Sequence, residues 1–322
     1  MRRREFISLI AGATTWPLTA RAEQMPVVGV LNPVSARVPP LMAAFGQGLA
    51  EEGYVEGKNL AIKDRFTNFR PELMREAAGD LVRLKVNVIY AVGPEAVAAA
   101  RSATSSVPII GIDLESDPLA LGYVKSLARP GGNLTGTFLD LPELSGKQVG
   151  LLKEIVPRLS RIAVFGIPDL NAAQFVAAAA AVRAVRAEAE IIEVQAPDDW
   201  ARALETAKSR DVEAGILLSS PLVFIASEQV GKIALAQRLP LISLFDAFPK
   251  NGGLLAYGPN LVDMFKRCGS YVGKILHGAK PDDFPIQRPE KFDLVINLTA
   301  AKALGVEIPL QLQQLADEVI EE

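Results

Sequence analysis

Histidine and cysteine are nearly missing from this chain, whose 322 residues include only one of each, His277 and Cys268. A single cysteine excludes a disulfide bond within the chain, whatever the compartment. With one histidine and one cysteine, a catalytic His–Cys or His–His arrangement within the chain is also nearly excluded. A zinc site would have to be built mostly from carboxylates, so we expect no metal centre.

The chain also lacks an excess of positive charge, since its formal net charge is −3. Recognition of nucleic acid needs a basic surface, so we expect no nucleic-acid partner. No phosphate-binding loop, dinucleotide fingerprint or metal-ligand cluster occurs, and Gly131-Gly132 is too short to count as one. The sequence therefore predicts neither a cofactor nor a bound metal.

The first 22 residues have the order of an export signal. Arg2-Arg3-Arg4 precedes an apolar stretch over residues 7–18, and Ala20-Arg21-Ala22 offers small residues for cleavage. Arg3-Arg4-Glu5-Phe6-Ile7 resembles the twin-arginine signature, with general secretion as the alternative route. The apolar stretch is too short for a stable membrane span. We expect cleavage after Ala22 and a soluble mature protein in the periplasm.

After the signal, apolar runs alternate with amphipathic segments of helical spacing. A length of 322 residues favours two lobes over one core. Strands are expected near residues 26–31, 60–66, 86–91, 107–112, 134–138, 162–165, 191–194, 215–218, 241–245, 254–257 and 292–296. Helices are expected near residues 41–52, 70–84, 94–102, 118–127, 144–156, 172–188, 198–209, 223–238 and 261–275, and residues 300–304 and 312–320 are expected to close the second lobe. The alternation predicts an α/β fold with parallel sheets in two Rossmann-like lobes.

One late stretch is expected to connect the lobes. Gly252-Gly253 favours a turn, residues 254–257 form a short apolar run, and Asn260 is a good helix N-cap. We interpret this strand as the chain returning to the first lobe, one of three crossings. The expected division is an N-terminal lobe and a C-terminal lobe, made of residues 26–137 plus 246–283 and residues 138–245 plus 284–322.

Ligands of open α/β sheets bind beyond the carboxyl ends of the strands, which selects a set of loops here. The candidate ligand-binding residues on these loops and crossings are Ser35, Gly93, Pro94, Glu95, Asp113, Glu115, Asp140, Ser219, Ser220, Phe245, Asp246 and Tyr257.

These candidates suggest binding rather than catalysis. A carboxylate in the acidic loop around Asp113 could hold a ligand ammonium. The same sequence is equally consistent with an ordinary solvated loop. Phe245 and Tyr257 could stack on a ring or could simply be core residues. The serines have no base at hand and could equally be helix caps. Asp246 and Tyr257 are expected to face the cleft from opposite sides.

Four separated motifs carry a family resemblance. Residues 49–60 read LAEEGYVEGKNL and residues 127–136 read LARPGGNLTG. Residues 257–261 read YGPNL, and residues 292–298 read FDLVINL. From about Val27 to the C-terminus, the chain resembles the ABC-transporter substrate-binding proteins of the tryptophan-transporter-like group.

The resemblance implies a type I periplasmic-binding fold with three crossing segments, closing on a small ligand that is passed to a membrane permease. Some members bind aromatic amino acids, so the implied ligand is an amino acid or an aromatic compound. Members often carry an aspartate in the loop held here by Ser219-Ser220-Pro221, and Asn-Pro where this chain has Gly166-Ile167-Pro168. These departures leave the identity of the ligand undetermined and do not affect the expected fold.

The leading hypothesis is a periplasmic, monomeric solute-binding component of an ABC importer that performs no chemistry. Its lobes would close around the ligand, with contacts to both lobes favouring the closed state. The alternatives are an exported α/β enzyme, against which the missing catalytic and metal sets count, and the ligand-sensing ectodomain of a receptor.

Replacing Arg3 and Arg4 with lysine should leave the protein in the cytoplasm with its signal uncut, because the twin-arginine route reads the arginine pair. Immunoblots of periplasmic and cytoplasmic fractions measure this directly. Arg2→Lys keeps the pair and should be exported normally. Normal export of the double variant would instead favour general secretion.

Overall fold

The computed structural model describes residues 25–139, 143–156 and 158–321. The expected export signal, residues 1–22, and the candidate residue Asp140 lie outside these ranges. In the described part of the chain, strands and helices alternate and build two separate β-sheets. No helix within these ranges is both long and apolar enough to cross a bilayer.

The first sheet has five parallel strands in the order β2-β1-β3-β4-β5. The strands are β1 (Val27–Asn32), β2 (Ala61–Phe66), β3 (Val88–Val92), β4 (Ile109–Asp113) and β5 (Leu134–Phe138). The helices between them are α1 (Pro39–Glu51), α2 (Pro71–Arg83) and α3 (Pro94–Ala103). Every residue of β4 and β5 is buried, as expected for strands of a parallel sheet covered on both faces.

The second sheet has seven strands in the order β12-β11-β10-β9-β8-β6-β7. The strands are β6 (Arg161–Gly166), β7 (Glu188–Glu193), β8 (Ala214–Leu217), β9 (Leu241–Ser243), β10 (Leu255–Pro259), β11 (Phe292–Asn297) and β12 (Glu318–Ile320). The helices are α4 (Glu143–Ile155), α5 (Pro168–Ala184), α6 (Trp200–Ser209), α7 (Pro221–Ile225), α8 (Ser227–Gln237), α9 (Ala247–Lys250), α10 (Leu261–Leu276), α11 (Leu298–Leu304) and α12 (Leu310–Leu315). All neighbouring strands are parallel except β10 and β11.

The strand around Tyr257 belongs to the second sheet, whereas the sequence pattern suggested that it returns the chain to the first lobe. β10 pairs in parallel with β9 and antiparallel with β11, so it gains ladder hydrogen bonds on both sides. The return begins immediately afterwards. Asn260 caps α10 by accepting a hydrogen bond from Asp263 N (2.9 Å), and α10 then packs against α1 and the first sheet.

The chain stays beside the first sheet to residue 287. Phe138 N donates to Gln287 O (2.9 Å), and Gln287 N donates to Gly136 O (2.9 Å), so this segment runs along β5. Three passages therefore join the two sheets: between β5 and α4, between β10 and α10, and over residues 288–291. The expected α/β fold with three crossing segments is confirmed.

One local expectation was wrong. Residues 118–127 form consecutive turns instead of a helix, because Gly122 takes a left-handed φ of +64° and Tyr123 N and Val124 N both donate to Pro118 O. Residues 312–320, expected to close the second lobe, contain the end of α12 and then β12, which pairs in parallel with β11 of the second sheet.

The close contact between α1 and α10 holds the returning segment against the first lobe. A Cβ atom built at Gly48 of α1 would lie 1.9 Å from Lys266 O. A Cβ atom at Gly269 of α10 would lie 2.1 Å from Phe45 O. The two backbones therefore touch, and both positions need glycine. Cys268 beside this contact is a buried free thiol, as the sequence predicted.

Gly48→Ala should destabilise the protein by about 1–3 kcal/mol, because the added methyl must push the two helices apart. Gly46→Ala on the same helix is the matched control, since nothing lies within 4 Å of its added Cβ. That variant should be stabilised by up to about 1 kcal/mol from helix propensity alone. Urea unfolding midpoints measure both, and similar shifts in the two variants would contradict the close-packing interpretation.

Candidate functional site

A cavity of about 600 Å³, including the solvent at its mouth, lies between the two sheets. Its described lining residues come from both halves of the fold: Asn32, Val34, Val38, Leu41, Met42, Val92, Gly93, Ile112, Leu114, Glu115, Pro221, Phe224, Phe245, Leu261 and Phe265.

Strand direction explains why these residues meet. Asn32, Val92 and Ile112 lie at or near the carboxyl ends of β1, β3 and β4. Phe245 follows β9 of the second sheet. Both parallel sheets point their carboxyl ends at the same cleft, which is where open α/β sheets bind ligands.

Gly93 lets the two halves approach each other. It has a φ of +86° and stands just before α3. A Cβ atom there would lie 3.3 Å from Pro221 Cγ of the opposite half. Any larger residue would therefore be strained in its backbone and crowded against the other lobe.

Three phenylalanines dominate the wall of the cavity. The rings of Phe224 and Phe245 meet edge to face with centroids 5.3 Å apart. Phe265, from α10, meets Tyr90 edge to face at 5.7 Å, and Tyr90 in turn stacks on Phe45 at 4.4 Å. The packing fixes these rings in place, so the cavity offers a preformed apolar surface on both sides.

Glu115 is the single ionisable residue among the described residues that line the cavity. Its Oε1 accepts a hydrogen bond from Ser219 Oγ (2.5 Å), and its Oε2 accepts one from Leu114 N (3.2 Å). Burial raises the pKa of Glu115 to about 8, with the nearby charge of Asp113 adding to the effect and the Ser219 bond opposing it.

Asp113 is fully buried next to Glu115 but does not line the cavity. Its neighbours Ile112, Leu114 and Glu115 line the cavity, whereas the Asp113 side chain at the end of β4 does not. Its Oδ1 accepts bonds from Glu115 N and Ser116 N, both 3.0 Å. Its Oδ2 has no hydrogen-bond partner in the described part of the chain, and burial raises its pKa.

Ser219 connects the two lobes. It follows β8 of the second sheet, whereas its partner Glu115 follows β4 of the first. Its carbonyl accepts a bond from Asn171 Nδ2 (2.8 Å), and Asn171 Oδ1 accepts one from Ile167 N (2.8 Å). This network orients the hydroxyl toward the first lobe. Ser220, also buried, caps α7 through Val223 N (3.1 Å).

The other sequence candidates lie away from this cavity. Ser35 is exposed, and Pro94 and Glu95 line a neighbouring cavity of about 300 Å³. Asp246 forms an ion pair with Lys250 (2.8 Å). The Tyr257 ring, expected to face the cleft, is not among the residues that line this cavity, and it stacks on Phe292 at 6.0 Å.

Several lining residues escaped the sequence reasoning. Leu41, Met42, Leu261 and Phe265 lie on α1 and α10, where their helical spacing is equally consistent with a buried core. Phe224 lies on α7, and only its position just after the serine loop hinted at it.

His277 and Cys268 have structural roles. His277 Nε2 is 2.8 Å from Glu52 O, and its ring lies against Tyr54. Cys268 Sγ lies 3.9 Å from Thr137 Oγ1, and burial raises the pKa of its thiol to about 12. Over the described ranges, no group of three or more histidine, cysteine or carboxylate side chains is arranged to hold a metal.

The free energy of unfolding of the ligand-free protein should fall as pH rises from about 5 to 8. Unfolded Glu115 loses its proton near pH 4.5, whereas the folded protein keeps it until about pH 8. Unfolding therefore releases a proton in this window, and one proton gives a slope of up to about 1.4 kcal/mol per pH unit. Urea titrations across the window should show a smaller slope for Glu115→Gln. Equal slopes of the free energy of unfolding against pH in the variant and the parent would contradict the raised pKa of Glu115.

Comparisons with known proteins agree with this architecture. A curated "Tyrosine-binding protein" of Clostridioides difficile is 25% identical over 270 residues, covering 82% of this chain and 76% of that protein. The crystal structure of an ABC domain in complex with L-Trp from Streptococcus pneumonia has a TM-score of 0.83 and 25% identity, covering 92% and 99% of the two chains.

A more distant structure shares the fold alone. The leucine binding protein LivK from Thermotoga maritima has a TM-score of 0.56 at 13% identity, with 87% of each chain covered. The two-lobed architecture is that of type I periplasmic binding proteins. Residues 27–320 match the family profile described as ABC transporter substrate binding protein, and the chain belongs to that family.

Proposed function

We propose that this protein is the exported solute-binding component of an ABC importer and binds a small ligand in the cavity between its lobes. The observation that carries this proposal is the cavity itself, whose walls come from the carboxyl ends of both sheets. A ligand in contact with both walls would favour the closed arrangement over an open one.

The ligand is proposed to have a substantial apolar part. Phe224, Phe245 and Phe265 supply the aromatic surface, and Met42 adds an adaptable side chain. The similar proteins named above carry tryptophan or are described as binding tyrosine, which supports an aromatic ligand here as well.

Closure would move two lobes about the three passages between the sheets. We propose a first lobe of residues 26–139 and 260–287 and a second lobe made of the remainder of the chain after the signal. Hinge residues are a few positions that absorb a backbone change, and the short passage at Pro259 and Asn260 fits that description.

Export to the periplasm is proposed from the N-terminal sequence, with cleavage after Ala22 and a twin-arginine route. The partner would be a permease in the inner membrane. We further propose that the protein acts as a monomer, without a nucleic-acid partner, and leaves its ligand chemically unchanged.

A thermal-shift screen of amino acids and small aromatic compounds should find a stabilising ligand. At about a hundred times its dissociation constant, a ligand adds roughly 2.7 kcal/mol to stability. Mass spectrometry of the compound after incubation should find it unaltered. A chemically converted compound, or no stabilising compound in a broad solute library, would contradict the proposed function.

Phe224→Ala should weaken binding of any ligand found in this screen, because it removes part of the aromatic wall. Loss of a buried ring contact should reduce affinity by about tenfold or more. The matched control is Ile225→Ala, the next residue of α7, which is 42% exposed and does not line the cavity. Calorimetry measures the affinity of both variants. An equal loss of affinity in the two would mean that the ligand binds outside this cavity.

A further inference from the structure

The charges around the cavity have only one sign. None of the fifteen described residues that line it is lysine, arginine or histidine, and Glu115 is the one ionisable group among them. Asp113 lies directly behind it, fully buried and with one carboxylate oxygen unpartnered. Glu115 therefore faces, and Asp113 lies behind, a cavity whose described lining residues include no side-chain cation.

The nearest cation in sequence is committed elsewhere. Arg37 lies between the lining residues Val34 and Val38. Its guanidinium is bonded to Glu56 (2.8 Å) and to Asp64 (2.7 Å). These charge-assisted contacts hold it outside the cavity, so a ligand carboxylate would not find it there.

Backbone amides replace that cation only in part, through the first-turn amides of Leu41 in α1 and of Glu95 and Ala96 in α3, which no side chain caps. Four helices begin at the cavity, and three of them, α1, α3 and α7, start with Pro39, Pro94 and Pro221. Proline has no N–H to donate to an anion. α3 also carries Glu95 in its first turn, whose own carboxyl complements the helix dipole.

The fourth helix is already capped. In α10 the Asp263 amide donates to the Asn260 side chain (2.9 Å), as the Val223 amide of α7 donates to Ser220. A ligand carboxylate at this wall would meet the uncapped amides of α1 and α3 but no side-chain cation among the described lining residues, and two acidic groups lie nearby. Burying a negative charge beside acidic groups without a compensating cation is unfavourable, so such a ligand is disfavoured.

Glu115 is instead arranged to accept hydrogen bonds. Ser219 Oγ and Leu114 N occupy one position on each oxygen. The ionised carboxylate can accept about four hydrogen bonds, so roughly two would remain for a ligand donor, and a bound ammonium would itself favour that ionised form. An ammonium group carries three donors and a full positive charge, which matches that remaining capacity and the local field.

The apolar wall completes the match. Phe224, Phe245 and Phe265 offer ring faces to a hydrophobic body, and aromatic faces also attract cations. Resting on the function proposed above, we propose that the cavity selects an apolar monoamine: a hydrophobic ligand with one ammonium group and without a carboxylate. The ammonium would bind Glu115, and the hydrocarbon part would fill the space between the phenylalanines.

Matched ligand series test this proposal. Each series keeps one ring and changes only the polar group: tryptamine, L-tryptophan, indole-3-propionate and tryptophol, and likewise 2-phenylethylamine, L-phenylalanine, 3-phenylpropionate and 2-phenylethanol. Calorimetry on the purified protein should show the amine of at least one series binding about tenfold or more tightly than its amino acid and its acid.

Glu115→Gln then identifies the group responsible. It should weaken binding of the preferred amine by about tenfold or more while changing binding of the matched alcohol by less than about threefold. Glu228→Gln makes the same substitution at an exposed residue of α8 that is paired with Lys232 and does not line the cavity, and it should change neither.

Tighter binding of the amino acid or the acid would overturn the amine proposal and leave the solute-binding function intact. Binding of no member of either series would also overturn it, while the broader screen still decides the function. If the Glu115→Gln variant does not fold and shows no thermal unfolding transition, the affinities of the parent protein for the amine and for the amino acid decide the proposal alone. Unchanged amine affinity in a folded Glu115→Gln variant would contradict it.

Discussion

The backbone contact between α1 and α10 is the constraint on which the rest of this architecture depends. The last third of the chain must leave the second sheet, pack one helix on the first lobe and then return. Glycines at positions 48 and 269 make that possible by letting the two helices touch. Because α10 is fixed in this way, its first two turns supply Leu261 and Phe265 to the cavity, and passages between the lobes lie just before it and over residues 288–291.

Sequence periodicity predicted most of the fold because parallel strands buried on both faces leave continuous apolar runs, as in β1, β3 and β4. It failed where pairing partners decide the outcome. The strand around Tyr257 has the same local pattern whether it joins the first or the second sheet, and only its ladders with β9 and β11 settle the matter. The short strand β12 depends in the same way on β11, which lies more than twenty residues earlier.

The site was predictable to the extent that it follows from strand direction. Gly93, Glu115 and Phe245 line the cavity because each stands just after a strand that points at the cleft. Residues contributed by helices could not be chosen in this way, since an apolar residue of α10 reads as core whether it faces a neighbour or a ligand. The direction in which a side chain points could not be predicted from the sequence either. Asp113 and Glu115 are two residues apart, yet the first is buried without lining the cavity and the second reaches the cavity.

The bond between Glu115 and Ser219 joins the lobes without being able to hold them closed by itself. A single hydrogen bond contributes a net of about 0.5–1.5 kcal/mol, and about 3 kcal/mol at most when one partner is charged. Driving a two-state equilibrium from 1:99 to 99:1 takes roughly 5.5 kcal/mol. In the proposed closure, the remainder must come from apolar contacts that a ligand makes with both walls at once. The geometry meets that requirement, because Phe224 and Phe245 face the cavity from the second lobe and Phe265 and Met42 face it from the first. Glu115 would then serve chiefly to select the ligand, since a buried acceptor left unpaired penalises the wrong partner more than it rewards the right one.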